Sequence, residues 1–233
     1  MPTENSHRIQ TSLLNAAEKK TLVWLAERQP KWMVSDTLTY IGTFGAIMIA
    51  AGYALTWVNI HFLWLSCLGF VVNWYGDSLD GTLARVRKTQ RPVYGYYLDH
   101  TMDCINEAIM FVGLGLSPLM NLSLALMIFA VYLCLTVNVA VNAHLRGEFK
   151  LTYMGLGPTE LRIAAIIANI FFIFSPWVRN FSLTLFNKLE FKALDIVGAV
   201  ILIVLSIIYI VTVAKDAKIY AKIDPMPKWE DDK

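Results

Sequence analysis

Cysteine and charged residues are scarce in this chain of 233 residues, and each shortage excludes a class of protein. Three cysteines are too few, and odd in number, for the disulfide framework of a small secreted domain. Charged residues make up only 16% of the chain and its net charge is +2, so no nucleic-acid-binding surface is expected. Residues 1–10 lack the apolar core of a signal peptide, so we expect no cleaved leader.

Apolar residues are what the chain has in excess. They make up 56% of the sequence, and its mean hydropathy is +0.50, values typical of an integral membrane protein. Six apolar stretches, most of them near the ~20 residues that cross a bilayer, are expected to be transmembrane helices. They lie at residues 38–58, 62–83, 97–117, 122–144, 160–178 and 194–214. The predicted fold is therefore an all-α integral membrane protein with six transmembrane helices.

The segment before the first stretch has a mixed composition. Residues 12–33 combine apolar and charged residues and place Trp24 and Trp32 as aromatic anchors, which predicts an amphipathic helix on the membrane surface. An ordinary soluble lead-in is the alternative. The predicted divisions are an N-terminal segment with this helix, a six-helix membrane domain and a C-terminal tail, at residues 1–35, 36–214 and 215–233.

The placement of lysine and arginine predicts how the helices are oriented. If the N-terminus is cytoplasmic, only Arg179, Lys188 and Lys192 of the 20 basic residues fall on the opposite side of the membrane. Cytoplasmic loops carry such an excess of basic residues. We therefore expect both termini in the cytoplasm.

Four aspartates lie near that cytoplasmic face, two at the end of helix two and two at the start of helix three. Asp77 and Asp80 are three residues apart, and Asp99 and Asp103 are four apart, so each pair lies on one face of a helix. Ionisable groups at the end of an apolar span are costly unless they are paired or bind a metal. Carboxylate oxygens are the ligands that Mg²⁺ prefers, so we expect Mg²⁺ or Mn²⁺, with two ions on a substrate diphosphate.

The residues between the two pairs suit a ligand that lies flat against a helix. Gly81 and Ala84 extend the aspartate face with almost no side chain, and Arg85 offers a guanidinium to a phosphate or a neighbouring carboxylate. Standing alone, the two small residues would be expected to pack helices together. Beside four aspartates they indicate a binding surface.

The run D-x2-D-G-x2-A-R-x9-G-x3-D-x3-D resembles the signature of the CDP-alcohol phosphotransferases. Its fixed positions are Asp77, Asp80, Gly81, Ala84, Arg85, Gly95, Asp99 and Asp103. The nine residues after Arg85 are at or just beyond the usual gap of that family. Six helices with cytoplasmic termini and a preceding surface helix are also similar to it.

This resemblance implies an enzyme of phospholipid synthesis that transfers a substituted phosphate from a CDP-linked donor to an alcohol and releases CMP. Two metal ions would be held by Asp77, Asp80, Asp99 and, in part, Asp103, and Asp103 would be the general base. The nucleotide and diphosphate pocket would be lined by Gly81, Ala84, Arg85, Gly95, Asp36 and Thr39. Asp36 stands where family members often have an asparagine-containing segment. A homodimer through the third and fourth helices is implied as well.

Polar residues of the fourth and fifth helices are candidates for an acceptor pocket. They are Asn138, Asn142, Arg146, Glu160 and Arg162. Hydrogen bonds between helices would explain the asparagines equally well, and arginines near a helix end can extend to the membrane surface.

Two donor chemistries remain open within the family. The segments G-P-T-E and L-D-H-T-M-D are similar to ones in choline and ethanolamine phosphotransferases, which use diacylglycerol as acceptor; His100 would then be a rival base and Glu160 a rival cation contact. The small size and short loops resemble instead bacterial and archaeal enzymes that use CDP-diacylglycerol, which we favour. Intramembrane prenyl transfer and a carboxylate-lined metal or proton transporter are more distant alternatives.

Overall fold

The computed structural model describes residues 7–9, 15–146, 148–150, 157–185 and 189–226, and these are mostly helical. The helices are α1 (Asn15–Glu27), α2 (Ser35–Ala54), α3 (Leu63–Val86), α4 (Pro92–Gly115), α5 (Leu122–Arg146), α6 (Pro158–Phe174), α7 (Pro176–Arg179) and α8 (Ala193–Ile223). Two 3-10 turns, Leu55–Trp57 and Ile60–Phe62, connect α2 to α3.

Short strands accompany the helices in the described part of the chain. β1 (His7–Ile9) pairs in parallel with β2 (Glu148–Lys150), and β3 (Ser182–Leu185) pairs antiparallel with β4 (Leu189–Lys192). Each is three or four residues long. The predicted all-α fold is therefore confirmed apart from these two small pairs.

Each of the six predicted apolar stretches overlaps most of one long helix, namely α2, α3, α4, α5, α6 or α8. Three segments in the described ranges are long and apolar enough to cross a membrane: Ser35–Trp57, Leu122–Leu145 and Ala193–Ile223. α6 has 17 residues, and both α3 and α4 carry charged side chains. The six-span topology therefore stays a prediction. So does the surface position of α1, which covers residues 15–27 of the predicted helix at 12–33. Residues 28–33 are not helical, so the prediction was too long at that end, and residues 12–14 lie outside the described ranges.

Proline sets several of the helix boundaries. α4 and α6 begin at Pro92 and Pro158, where a first-turn residue does not need its amide hydrogen. Ser175 is extended because it precedes Pro176, so α6 ends at Phe174 and the one-turn α7 begins at the proline. The fifth predicted stretch is consequently divided into a shorter helix and a separate turn.

The backbones of α2 and α3 approach closely through glycines. A Cβ atom on Gly45 would lie 2.8 Å from the Cα of Asn73 and 2.8 Å from the carbonyl oxygen of Gly69. A Cβ on Gly76 would overlap the backbone of Gly42. Side chains at these positions would force the helices apart, so glycine is required by the contact itself. The part of α3 that carries the first aspartate pair is therefore held directly against α2.

α1 packs on α3 and also reaches α6. Leucine and alanine side chains of α1, α2 and α3 form one buried cluster. Oε1 of Glu18 accepts hydrogen bonds from Nε1 of Trp74 on α3, at 2.8 Å, and from Oγ1 of Thr159 on α6, at 2.5 Å. A single carboxylate oxygen thus links α1 to both α3 and α6.

The remaining packing brings four helix ends together. α4 packs on α2, α6 packs on α3, and α5 lies against both α4 and α8. Buried aliphatic and aromatic residues of α2, α3 and α6 form a second cluster further along the helices. The aspartate-bearing ends of α3 and α4 therefore lie next to the starts of α2 and α6.

Candidate metal centre

Three carboxylates from two helices converge on one point. One oxygen from each of Asp77, Asp99 and Asp103 lies within 4.8 Å of the other two. Asp77 belongs to α3, whereas Asp99 and Asp103 lie one turn apart on the same face of α4. All three are partly buried. Hard oxygen donors in this arrangement fit a divalent cation such as Mg²⁺ or Mn²⁺.

Asp80 is not one of the three carboxylates whose oxygens lie within 4.8 Å of one another. Its side chain is buried, its Oδ2 accepts a hydrogen bond from Oγ1 of Thr39 at 2.7 Å, and its Oδ1 accepts one from the amide of Gly81. It stays within electrostatic range of Asp77 and Asp99. Thr39, predicted as a nucleotide contact, holds this carboxylate in the structure. A metal contact of Asp80 stays a prediction.

Arg162 of α6 reaches into the carboxylate group. Its Nη2 lies 2.5 Å from Oδ2 of Asp77, and its Nε donates to Oδ1 of Asn73 at 3.0 Å. Asn73 in turn donates from Nδ2 to the carbonyl oxygen of Gly42. The two charged side chains are only 15% and 21% exposed. The sequence predicts Arg162 in the acceptor pocket, and the structure adds a direct contact with Asp77 of the aspartate motif.

Glu107 on α4 and Tyr132 on α5, neither of which was singled out in the sequence, extend the site beyond the aspartates. Glu107 follows Asp103 by four residues, so it lies on the same face of the helix. It is hydrogen-bonded to Tyr132 of α5 and interacts electrostatically with Asp77 and Arg162. A third acidic residue at the spacing of the second aspartate pair was the sequence signal that could have found it.

His100 lies beside the carboxylates and is held by its own helix turn. Its Nδ1 is 3.0 Å from the carbonyl oxygen of Tyr96 and 3.5 Å from Oδ2 of Asp99, and its ring stacks on that of Tyr96 with centroids 4.0 Å apart. A ring nitrogen that faces a carbonyl oxygen carries a hydrogen. In this conformation, a base role for His100 would have to use Nε2.

The small residues of the motif leave an open face. A Cβ on Gly81 would have Nη1 of Arg85 as its nearest neighbour, at 3.5 Å, and a Cβ on Gly95 would meet no described atom within 4 Å. Ala84 is partly buried and lies on α3, as Gly81 does. Nη2 of Arg85 donates to Oγ1 of Thr82 at 2.9 Å. Unlike the glycines between α2 and α3, these two glycines are not required by packing.

Asp36, at the start of α2, is paired with residues around the start of α4. Nη2 of Arg91 lies 2.6 Å from each of its carboxylate oxygens, and the hydroxyl of Tyr94 donates to its Oδ2 at 3.3 Å. The Arg91 guanidinium also lies over the Tyr94 ring, 4.0 Å from its centroid. Asp36 therefore joins α2 to α4 next to the motif, and its contact with a nucleotide stays a prediction.

Asn138 and Asn142 are turned towards α8. Their Nδ2 atoms donate to Oδ2 of Asp216 at 3.2 Å and 2.8 Å, and Oδ1 of Asn142 accepts from the hydroxyl of Tyr220 at 2.6 Å. These are the hydrogen bonds between helices that were the alternative to an acceptor pocket.

The other three predicted acceptor residues, Arg146, Glu160 and Arg162, have different surroundings. Oε2 of Glu160 accepts from the amide of Gly157 at 3.0 Å, which closes the first turn of α6. Arg146 is the last residue of α5, and its side chain lies outside the described part of the structure. Among the acceptor candidates whose side chains are described, Arg162 is the one paired with an aspartate of the carboxylate group.

Two comparisons with known proteins can be set beside this geometry. A family model described as CDP-alcohol phosphatidyltransferase matches residues 32–214. A phosphatidylinositol phosphate synthase of Cutibacterium acnes is 33% identical to this chain over 81 residues. That alignment covers 35% of this chain and 37% of the bacterial protein, so it spans little more than a third of the relative. The family match includes every aspartate of the site.

Proposed function

Because the chain belongs to the CDP-alcohol phosphatidyltransferase family, as its motif predicted, we propose that it transfers a substituted phosphate from a CDP-linked donor to an alcohol in the membrane. CMP is the leaving product. The convergence of Asp77, Asp99 and Asp103 is the observation that carries this proposal, since a diphosphate needs divalent cations beside it. We favour CDP-diacylglycerol as the donor, and the name of the bacterial relative makes an inositol phosphate the first acceptor to test.

The divalent cations, Mg²⁺ or Mn²⁺ and two in number, would be held by Asp77, Asp99 and Asp103 with Asp80. When bound, such ions neutralise the charge of a diphosphate and of its leaving group. Both oxygens of Asp80 already accept a hydrogen bond, so a metal contact would use their remaining lone pairs. Thr39 fixes the orientation of that carboxylate.

Asp103 is the general base that we propose. It lies in the carboxylate group on α4, where it would accept the proton of the acceptor hydroxyl as the new bond to phosphorus forms. His100 is the rival base of the amino-alcohol alternative, in which Glu160 would contact the cation of choline or ethanolamine. The contact of His100 Nδ1 with the Tyr96 carbonyl oxygen leaves Nε2 as the nitrogen that could act as that base, whereas Asp103 is itself a member of the carboxylate group.

The cytidine and diphosphate would lie against the open face of α3 and the start of α4. The space beside Gly81 and Gly95 supports this placement. The proposed contacts on this face are Gly81, Ala84, Arg85, Gly95, Asp36 and Thr39. Arg85 is exposed there and can supply a guanidinium to phosphate oxygens.

Arg162 is the acceptor-pocket residue with most support, because its guanidinium already lies beside the carboxylate group. It would bind an anionic substituent of the acceptor. Roles for Asn138, Asn142, Arg146 and Glu160 in that pocket are weaker proposals, since the amides of the two asparagines are taken up by α8.

The membrane arrangement that we propose has six spans, with both termini and the aspartates at the cytoplasmic face. Exposed Trp24 on α1 and exposed Trp32 in the turn that follows it support a surface position for α1. The proposed divisions are residues 1–35, 36–214 and 215–233, and the proposed homodimer forms through α4 and α5. A purified protein that stayed monomeric in mild detergent at every concentration would contradict the dimer.

The test of the reaction is CMP release by the purified protein with Mg²⁺ or Mn²⁺. CDP-diacylglycerol, CDP-choline and CDP-ethanolamine are each combined with inositol phosphate, inositol, glycerol phosphate, serine and diacylglycerol. Release from CDP-diacylglycerol with a polar alcohol would support the favoured donor. Release only from the amino-alcohol donors with diacylglycerol would select the alternative, and no release with any pair would overturn the proposal.

Variants of the acidic residues test the assigned roles. Asp103→Asn should lose about 10²–10⁴-fold in turnover, because an amide is almost non-basic, while donor binding persists. Asp80→Asn should weaken metal and donor binding together. If Asp103→Asn kept near-normal turnover and His100→Ala were inactive, His100 would be the general base instead of Asp103.

A further inference from the structure

Arg162 and a divalent cation would compete for the same carboxylate. The guanidinium lies 2.5 Å from Oδ2 of Asp77, which is one of the three converging aspartates. A cation held by this group would add a large positive charge beside the guanidinium. Because both side chains are mostly enclosed, salt would screen that repulsion only weakly. Arg162 therefore needs another anionic partner whenever Asp77 binds a metal.

Glu107 is placed to be that partner. It interacts electrostatically with both Arg162 and Asp77, and it is hydrogen-bonded to Tyr132. Its Oε2 is one of three buried side-chain oxygen or nitrogen atoms in the described chain that have no hydrogen-bond partner. A buried carboxylate oxygen without a donor is unfavourable. This cost would be removed in a second state of the protein in which Oε2 of Glu107 accepts a hydrogen bond.

Arg162 can supply that donor without leaving its other contact. A guanidinium has five N–H groups, and the hydrogen bonds to Asp77 and Asn73 use Nη2 and Nε. Its contact with Asn73 can therefore persist while another N–H group binds a second carboxylate. Asn73 is itself fixed by its hydrogen bond to the carbonyl oxygen of Gly42.

We propose that Glu107 is a positioning residue for Arg162, which leaves Asp77 and pairs with Glu107 when the carboxylate group takes up a divalent cation. This inference rests on the metal dependence of the proposed function. Without metal, Arg162 offsets the charge of Asp77 and one oxygen of Glu107 is unpaired. With metal, Arg162 offsets the charge of Glu107 and the oxygens of Asp77 are available to the cation. Arg162 is paired in both states.

The test measures Mn²⁺ affinity without any substrate, by electron paramagnetic resonance titration of the full-length protein in mild detergent. The proteins are wild type, Glu107→Gln, Arg162→Gln and the double variant. Arg162→Gln should bind Mn²⁺ about tenfold more tightly, and Glu107→Gln about tenfold more weakly. When Arg162 is already replaced, Glu107→Gln should change the Mn²⁺ affinity by a factor at least threefold smaller than it does in the wild-type background. A difference of this size is the coupling expected of two interacting residues.

A matched control and the dependence on Arg162 decide the outcome. Glu27→Gln removes one carboxylate from an exposed position at the end of α1 and should leave Mn²⁺ affinity unchanged. If Glu107 only attracted the cation, its replacement would weaken binding equally with and without Arg162. A difference of less than threefold between the two backgrounds would therefore overturn the proposal.

Thermal melting without metal gives a second, independent measurement. Glu107→Gln should melt no lower than wild type, because Arg162 remains on Asp77 and the amide oxygen of glutamine can still accept a hydrogen bond from Tyr132. A lower melting temperature, or a variant that does not fold, would mean that Glu107 supports the metal-free fold, and the proposal would be wrong. If wild type binds no Mn²⁺, the proposed function fails as well; if it binds but the substitutions are additive, only this inference fails.

Discussion

Replacement of Gly81 by alanine tests whether the open face of α3 binds the nucleotide. The added methyl group would meet Nη1 of Arg85 at 3.5 Å, which is an ordinary contact with the end of a flexible side chain. Gly81 lies inside α3, where alanine is favoured over glycine by about 0.5–1 kcal/mol. The melting temperature should therefore stay constant or rise by about 1–4 °C.

Affinity for the nucleotide should fall in the same variant. If cytidine or the diphosphate lies against the backbone at Gly81, the methyl group displaces it outward, and a shift of about 1 Å can reduce turnover about 10²-fold. We expect a KM for the CDP-linked donor that is higher by about tenfold or more, together with weaker binding of CDP. Calorimetric titration with CDP and a thermal melt of the same preparation measure the two effects.

Gly76, on the same helix, is the matched comparison. A Cβ there would overlap the backbone of Gly42, which cannot turn aside as a side chain can. Overpacking of this kind costs about 1–3 kcal/mol, so Gly76→Ala should melt lower than wild type. If Gly81→Ala also melts lower, the glycine serves packing. If it binds CDP with unchanged affinity, the open face is not the nucleotide site.

Three further predictions concern the groups around this face. Mg²⁺ or Mn²⁺ should raise the melting temperature, since the ions relieve repulsion among the carboxylates, and EDTA should stop CMP release. If neither the melting temperature nor CMP release changed, the metal centre would be contradicted. Thr39→Val should weaken Mn²⁺ binding and destabilise the fold by about 1–3 kcal/mol, because Asp80 loses a buried hydrogen-bond donor. The control is Thr43→Val, one turn away, which should leave the Mn²⁺ affinity unchanged. Asn142→Ala should lower the melting temperature without changing the acceptor KM, since its amide binds Asp216; the reverse result would support an acceptor pocket.

The helices and the carboxylate group could be predicted because both depend on spacing along the chain. Long apolar stretches predict helices, and a separation of four residues places Asp99 and Asp103 on one face whatever surrounds them. The link between α3 and α4 is short, so Asp77 had to lie near the same end. A place for Asp80 in the same group stays a prediction, because its two oxygens accept hydrogen bonds from Thr39 and Gly81 in the structure.

The partners of the charged groups could not be predicted, because they depend on how distant helices pack. Arg162 is 85 residues from Asp77 in the sequence, and only the packing of α6 on α3 brings them together. Asn138 and Asn142 fit either an acceptor pocket or a contact between helices. The sequence spacing is the same in both cases, and the position of Asp216 on α8 decides between them.

The N-terminal helix supports the site although it carries no residue of the motif. Glu18 binds Trp74 of α3 and Thr159 of α6 through one oxygen, and Arg162 follows Thr159 by a single helical turn. The relative position of α3 and α6 determines whether Arg162 can reach Asp77. Since the family match begins at residue 32, Glu18 lies outside the matched region, whereas its two partners lie inside it. We therefore expect α1 to contribute to placing the counter-charge of the metal centre, in addition to any contact that it makes with the membrane.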